Sequence, residues 1–140
     1  FRFPRSFLRD DRLDFSFSGL KTAVLYTCFG QNASSTTVPP VGKRRADVAA
    51  SFQQAVIDVL VGKARQALRR TGLKRLAVGG GVAANKPFRA ALERMTNEEG
   101  ADLFIPPMAL CTDNAAMAAQ AVEKWRRGAW APPDLDARPN

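Results

Sequence analysis

The 140-residue chain contains no histidine. That absence excludes Ser-His-Asp and Cys-His catalysis, and any histidine-bearing zinc site, from these residues acting alone. Cysteine is scarce as well: Cys28 and Cys111 are the two present, far apart and in no CxxC pair. Two such cysteines make no disulfide framework and suit a reducing, cytoplasmic setting. No apolar run approaches the ~18 residues of a membrane helix. No charged segment followed by an apolar stretch opens the chain, so no secretory signal is visible. The first residues are Phe1-Arg2-Phe3-Pro4 rather than a Met start, and we read the chain as a piece of something longer.

Acidic residues are outnumbered, 13 against 21 basic, for a formal net charge of +8. Arginine supplies 15 of the 21. Its planar fork forms bidentate hydrogen bonds with phosphate, and positive potential attracts polyanions. The bases fall in short groups: Arg2, Arg5, Arg9 and Arg12; Lys43, Arg44 and Arg45; then Arg65, Arg69, Arg70, Lys74 and Arg75. A solvated surface would use the same residues, and no aromatic-rich RNA-binding signature interleaves them. Hydrophobic residues at 46% and charged residues at 24% are ordinary for one small folded domain.

Periodicity divides the chain. Asp14–Ser18 alternates polar and aromatic residues, the pattern of a short strand. Ser18 suits an N-cap ahead of Leu20, Ala23, Val24 and Cys28, spaced for one buried helical face. Gly30–Gly42 reads as a mobile loop. Residues 43–70 predict a helix with Val48, Phe52, Ala55, Val56, Val59, Leu60, Ala64, Ala67 and Leu68 inward, and Gln53, Asp58, Lys63 and Gln66 mainly on other faces. Gly62 within it costs about 1 kcal/mol relative to Ala and allows close packing; Gly72 is placed to end it. Leu76-Ala77-Val78 has the length of a buried parallel strand. A helix over 86–98 follows, ended by Gly100, then a strand at Leu103-Phe104-Ile105 stopped by Pro106-Pro107. A last helix starts at Asp113 or Asn114 and runs to about Arg127, with Met117 and the alanines implying close packing. Residues 128–140 read as a tail. The order is α/β, with parallel strands joined by right-handed crossovers. Two parallel strands leave a sheet incomplete.

Two stretches carry the chemistry. Val78-Gly79-Gly80-Gly81-Val82-Ala83-Ala84-Asn85 is strand, glycine turn and helix start. Such a turn lets a ligand approach the backbone, and the helix N-terminus offers free amides to a nucleotide or phosphate. It is neither a Walker A loop nor GxGxxG, and the same residues suit a plain turn with Asn85 as N-cap. Cys111-Thr112-Asp113-Asn114 follows the second strand. The carboxyl ends of parallel strands are where open α/β sheets bind ligands, so Asn85 and Asp113 should share one edge. Asp113 suits either a helix cap or one ligand of a metal.

Three blocks occur in order: Asp14-Phe15-Ser16-Phe17-Ser18-Gly19-Leu20-Lys21-Thr22, Gly80-Gly81-Val82-Ala83-Ala84-Asn85, and Cys111-Thr112-Asp113-Asn114-Ala115-Ala116-Met117. Together they closely resemble the C-terminal part of the TsaD family, the enzymes that make threonylcarbamoyladenosine in tRNA, also labelled glycoproteases or O-sialoglycoprotein endopeptidases. The resemblance covers most of residues 1–127. It implies an actin/Hsp70/sugar-kinase (ASKHA, RNase H-like) ATPase fold. Residues 1–43 would be a helical insertion with its loop, 44–130 the C-terminal half of the second lobe, and 131–140 a tail. It further implies Gly80, Gly81 and Asn85 as contacts to the nucleotide, threonylcarbamoyl-AMP or ATP, and Asp113 as a ligand of iron or zinc. The family's two metal-binding histidines and its phosphate-binding residues are absent here, so the metal site is incomplete as given. Implied partners are tRNA, accessory proteins of the same pathway and the N-terminal lobe. The implied chemistry moves threonylcarbamoyl from the adenylate to the N6 of the adenosine beside the anticodon. Two alternatives remain: a metalloprotease, for which no HExxH is present, and a non-catalytic nucleotide- or partner-binding lobe.

Overall fold

The computed structural model describes residues 1–31 and 38–129. Part of the expected loop (32–37) and the tail over 131–140 lie outside the described residues. Four helices and two short strands are built, in the order α1 (Ser18–Phe29), α2 (Gly42–Thr71), β1 (Arg75–Ala77), α3 (Lys86–Glu99), β2 (Asp102–Phe104) and α4 (Ala119–Arg126). The strands pair in parallel, Leu76 opposite Leu103 and Ala77 opposite Phe104. The result is an α/β arrangement in which α3 crosses over from β1 to β2.

The 30-residue α2 is the axis of the fold. Its C-terminal part packs on α3 and the sheet through Ile57, Leu60 and Leu68, against Phe88, Leu92 and Met95. Its N-terminal part packs on α1 and the first residues through Val48 and Ala55, against Phe3 and Leu20. Gly72 closes it in the left-handed conformation (φ 69°), its N–H donating to Leu68 O at 2.9 Å. Arg69 and Arg70 sit in the last turn, where cations favour the carbonyl end of the helix dipole.

Residues 5–12 lie along α2 as a docked turn. A Cβ on Gly62 would collide with Leu8 Cδ1, so the close packing expected of this glycine is made against Leu8. Lys63 departs from its expected polar face. It is 3% exposed, and its Nζ donates to Asp10 Oδ1 (3.2 Å), Asp10 O (3.1 Å), Gln66 Oε1 (2.9 Å) and Arg12 O. An ammonium is buried tolerably when each of its protons has an acceptor, as here. Arg5 adds a two-nitrogen bond to Asp58 Oδ2, at 2.9 and 2.7 Å.

Four further expectations are corrected. Asp14–Phe17 forms no strand, since no neighbouring strand meets its backbone among the described residues, and Ser18 already belongs to α1. Phe17, not Ser18, holds the N-cap position of α1; Ser18 Oγ lies 3.0 Å from Ser16 Oγ instead of capping. The strands are covered on one face only. Leu76 and Leu103 face the helices, whereas Phe104 on the other face is 56% exposed. Finally, the last helix is divided: a 3₁₀ turn (Ala115–Ala118) precedes α4, none of whose residues is buried, and Met117 is 55% exposed. Close packing there fails because no described element covers that face.

Candidate functional site

β1 delivers the glycine turn to the carboxyl edge of the sheet. Val78 N–H still pairs with Phe104 O at 2.9 Å, after which the backbone turns through Gly79–Gly81 into a 3₁₀ turn (Gly81–Ala84). Gly80 has φ 91°, a conformation that side chains strain to adopt. Gly79 and Gly81 do not, and a Cβ on either would meet nothing within 4 Å. Packing among the described residues therefore gives no reason for glycine at 79 and 81. The open space beside them leaves room for a ligand to approach the backbone.

Asn85 follows, at the N-cap of α3. Its Oδ1 accepts from Phe88 N at 2.9 Å, the bond that satisfies an otherwise free amide of the first turn. Its Nδ2 donates to Gln53 Oε1 at 2.9 Å, so the side chain is fixed at both ends. Gln53 is a residue that the sequence reading misses. It is a polar residue on the polar side of α2, without a motif to mark it. Gly79, Gly81, Asn85 and Gln53 line one open groove of about 1120 Å³, together with Phe15, Phe17, Phe52, Val56 and Lys21, whereas Gly80 is not part of its lining. That volume lies just above the roughly 300–1,000 Å³ of ordinary small-molecule sites.

β2 ends on the same edge and leads through Pro106-Pro107 to Cys111 and Asp113. Asn114 takes the capping role, its Oδ1 accepting from Ala116 N at 3.0 Å. Asp113 is exposed and caps nothing, and no ion pair holds its carboxylate among the described residues. It is thus a free oxygen donor for one position on a cation. No group of three His, Cys, Asp or Glu that could hold a metal occurs among the described residues, so further ligands would have to come from elsewhere. The two strand ends are brought together by Arg89 of α3, a second residue that no motif marks. Its Nε donates to Ala83 O (2.6 Å) in the glycine turn, and its Nη2 to Pro106 O (2.5 Å) and Cys111 Sγ (3.0 Å).

Comparison with known proteins identifies the family. The family model for TsaD, tRNA N6-adenosine threonylcarbamoyltransferase, matches residues 1–120, which include both strand-end segments. The chain belongs to the TsaD family. Among curated relatives of that same name, the protein of Halalkalibacterium halodurans is 45% identical over 99% of this chain and 39% of its own length. That of Syntrophotalea carbinolica is 46% identical over 100% and 40%, and that of Cereibacter sphaeroides 48% over 99% and 39%. The chain thus spans about two fifths of the length of these TsaD relatives.

The basic groups are mostly engaged within the chain. Arg65 and Arg69 pair with Glu98 and Glu99, Arg12 with Asp10, and Lys43 with Asp47. Arg70 donates to Asp11 O and Lys74 to Glu99 O. The side chains of Arg2, Arg9, Arg45 and Arg75 have no such partner among the described residues. No helix is long and apolar enough to cross a membrane among the described residues.

Proposed function

We propose that the intact protein carrying this chain is a tRNA-modifying acyltransferase. It moves threonylcarbamoyl from threonylcarbamoyl-AMP to the N6 of the adenosine beside the anticodon. The observation that carries this reading is the TsaD match over residues 1–120, which spans the glycine turn and the Asp113 loop. In this reading residues 44–130 are the C-terminal half of the second lobe of an ASKHA-type ATPase fold, 1–43 a helical insertion and 131–140 a tail. The N-terminal lobe of the same protein completes the cleft, accessory proteins of the pathway assist, and the setting is the cytoplasm.

The chemistry follows from what each residue can do. Gly80 and Gly81 admit the adenylate to within contact of the backbone. Asn85, held by Gln53, contacts the nucleoside. Asp113 offers its carboxylate as one ligand. A bound divalent metal, iron or zinc, would supply Lewis-acid polarisation of the donor's carbonyl. Binding the adenylate at the turn aligns that carbonyl for attack by the adenosine N6. The new carbamoyl–N6 bond forms as the bond to AMP breaks, with AMP leaving and the N6 amine releasing one proton. Unpaired arginines such as Arg2, Arg9, Arg45 and Arg75 are the bases free to meet tRNA phosphates.

The test is Asp113→Ala in the intact protein, with threonylcarbamoyladenosine in cellular tRNA measured by mass spectrometry in a strain that depends on the gene. Loss of the modified base, with the variant folded, is expected. Unchanged modification would remove Asp113 from the site. No modification by the wild type would leave a nucleotide- or partner-binding lobe.

A further inference from the structure

Arg89 occupies an unusual place. Its single guanidinium holds two carbonyls and a thiol that belong to different segments. Ala83 and Cys111 are each 1% exposed, so two of the three anchors are buried, while Arg89 and Pro106 are half-buried. Ala83 stands two residues before Asn85, and Cys111 two residues before Asp113. Two of the three anchors of the guanidinium, Ala83 and Cys111, therefore stand next to one candidate site residue each. The carbonyls of Pro106 and Pro107 turn towards the same thiol, at 3.7 and 3.5 Å from Cys111 Sγ, which closes the loop around the junction. Arg89 is itself fixed, one helical turn after Asn85, by α3, whose Phe88 and Leu92 are in the core.

We propose that Arg89 is a positioning residue that locks the glycine turn to the Asp113 loop, so that a nucleotide held at the turn also fixes the loop. This rests on the nucleotide reading given above. Arg89 serves the two carbonyls from different nitrogens of one rigid plane, Nε for Ala83 O and Nη2 for Pro106 O. A lysine has three donors but on a single nitrogen, so it reproduces this lock only if both oxygens converge on one point. Breaking the lock frees the two strand ends to move separately, and binding at one is no longer felt at the other.

Cys111 gives the readout, because it labels only when its loop opens. The intact protein is pulsed with N-ethylmaleimide with and without ATP, and modification of Cys111 is followed by peptide mass spectrometry. In the wild type ATP is expected to slow labelling by about fivefold or more, the lower end of ordinary coupling between sites. In Arg89→Lys and Arg89→Gln, labelling without ATP is expected to be faster, and ATP is expected no longer to change it. A purely structural Arg89 would speed labelling by the same factor with and without ATP, and that result overturns the proposal. So does Arg89→Lys with wild-type coupling. Should the variants fail to fold, the wild-type arm decides alone: ATP that binds by calorimetry yet leaves Cys111 labelling unchanged overturns the lock. ATP that does not bind at all overturns the nucleotide reading and the lock with it.

Discussion

At the scale of single residues, the glycine turn separates two explanations that the sequence leaves together. Gly80 is needed by the backbone itself, with φ 91°. Gly81 is not, since its Cβ would enter open space. Alanine there narrows the unfolded ensemble and should leave stability unchanged or raise it by up to about 1 kcal/mol. If the open space is the adenylate's, the same methyl should weaken ATP binding by about tenfold or more, through lost backbone approach. Thermal denaturation and calorimetry on Gly81→Ala read the two effects independently, and unweakened binding would return the turn to a plain connection. Asn85 divides in the same way. Asp is as good an N-cap as Asn, so Asn85→Asp should keep α3 intact while losing the donor to Gln53. Helicity close to wild type with ATP affinity reduced is the expected outcome; an equal affinity would make Asn85 a cap and nothing more.

At the scale of elements, α2 and α3 are held together by charge as well as by core. Glu99 receives Arg69 through two hydrogen bonds, at 2.9 and 2.7 Å, with Arg65 behind it. The Arg69 hydrogen bonds hold its carboxyl below the usual range. A lowered folded value means that the pair stabilises the protein above the ordinary Glu pKa of about 4.3. That stabilisation is lost as pH falls through the lower, folded value. Glu99→Gln should therefore flatten the acid limb of a stability-against-pH curve below about pH 4.3 while changing its neutral plateau only modestly. An identical acid limb in the variant would show that this pair does not govern it. Asp10, lowered by its hydrogen bond from Arg12, contributes in the same direction. These helices are readable from sequence because periodicity, Gly72 and Gly100 mark their faces and ends locally. The strands are readable as short apolar runs between glycines and prolines. Less local features are not. The burial of Lys63 depends on acceptors some fifty residues away in the 5–12 turn. The failed strand at Asp14–Phe17 needs a partner strand that the run itself cannot reveal. In the site, the glycine turn, Asn85 and Asp113 are marked by motif, whereas Gln53 and Arg89 are isolated polar residues whose roles exist only once α2, α3 and the β2 loop meet.

At the scale of the molecule, the decisive feature is apolar surface without cover. The sheet has two strands, one face bare, and Phe104 stands on that face. The groove beside the glycine turn carries Phe15, Phe52 and Val82, all exposed. Apolar patches of this kind are rare on stable monomers and mark surfaces that another part must cover. Parallel strands in particular are seldom stable without cover on both faces. The chain spans about two fifths of its relatives' length, and the remainder of such a protein is the natural source of that cover. The 140 residues expressed alone should therefore bind a hydrophobic dye and self-associate as concentration rises. The net charge of +8 opposes association by repulsion, so added salt should promote it as screening increases. Sedimentation at rising concentration, at low and at moderate salt, checks both statements. If the rest of the intact protein covers the bare sheet face, it should bind less dye for each copy of this segment under the same conditions. A strictly monomeric chain with one cooperative, concentration-independent unfolding transition would contradict this. It would mean that the two small cores along α2 suffice without further cover of the bare sheet face.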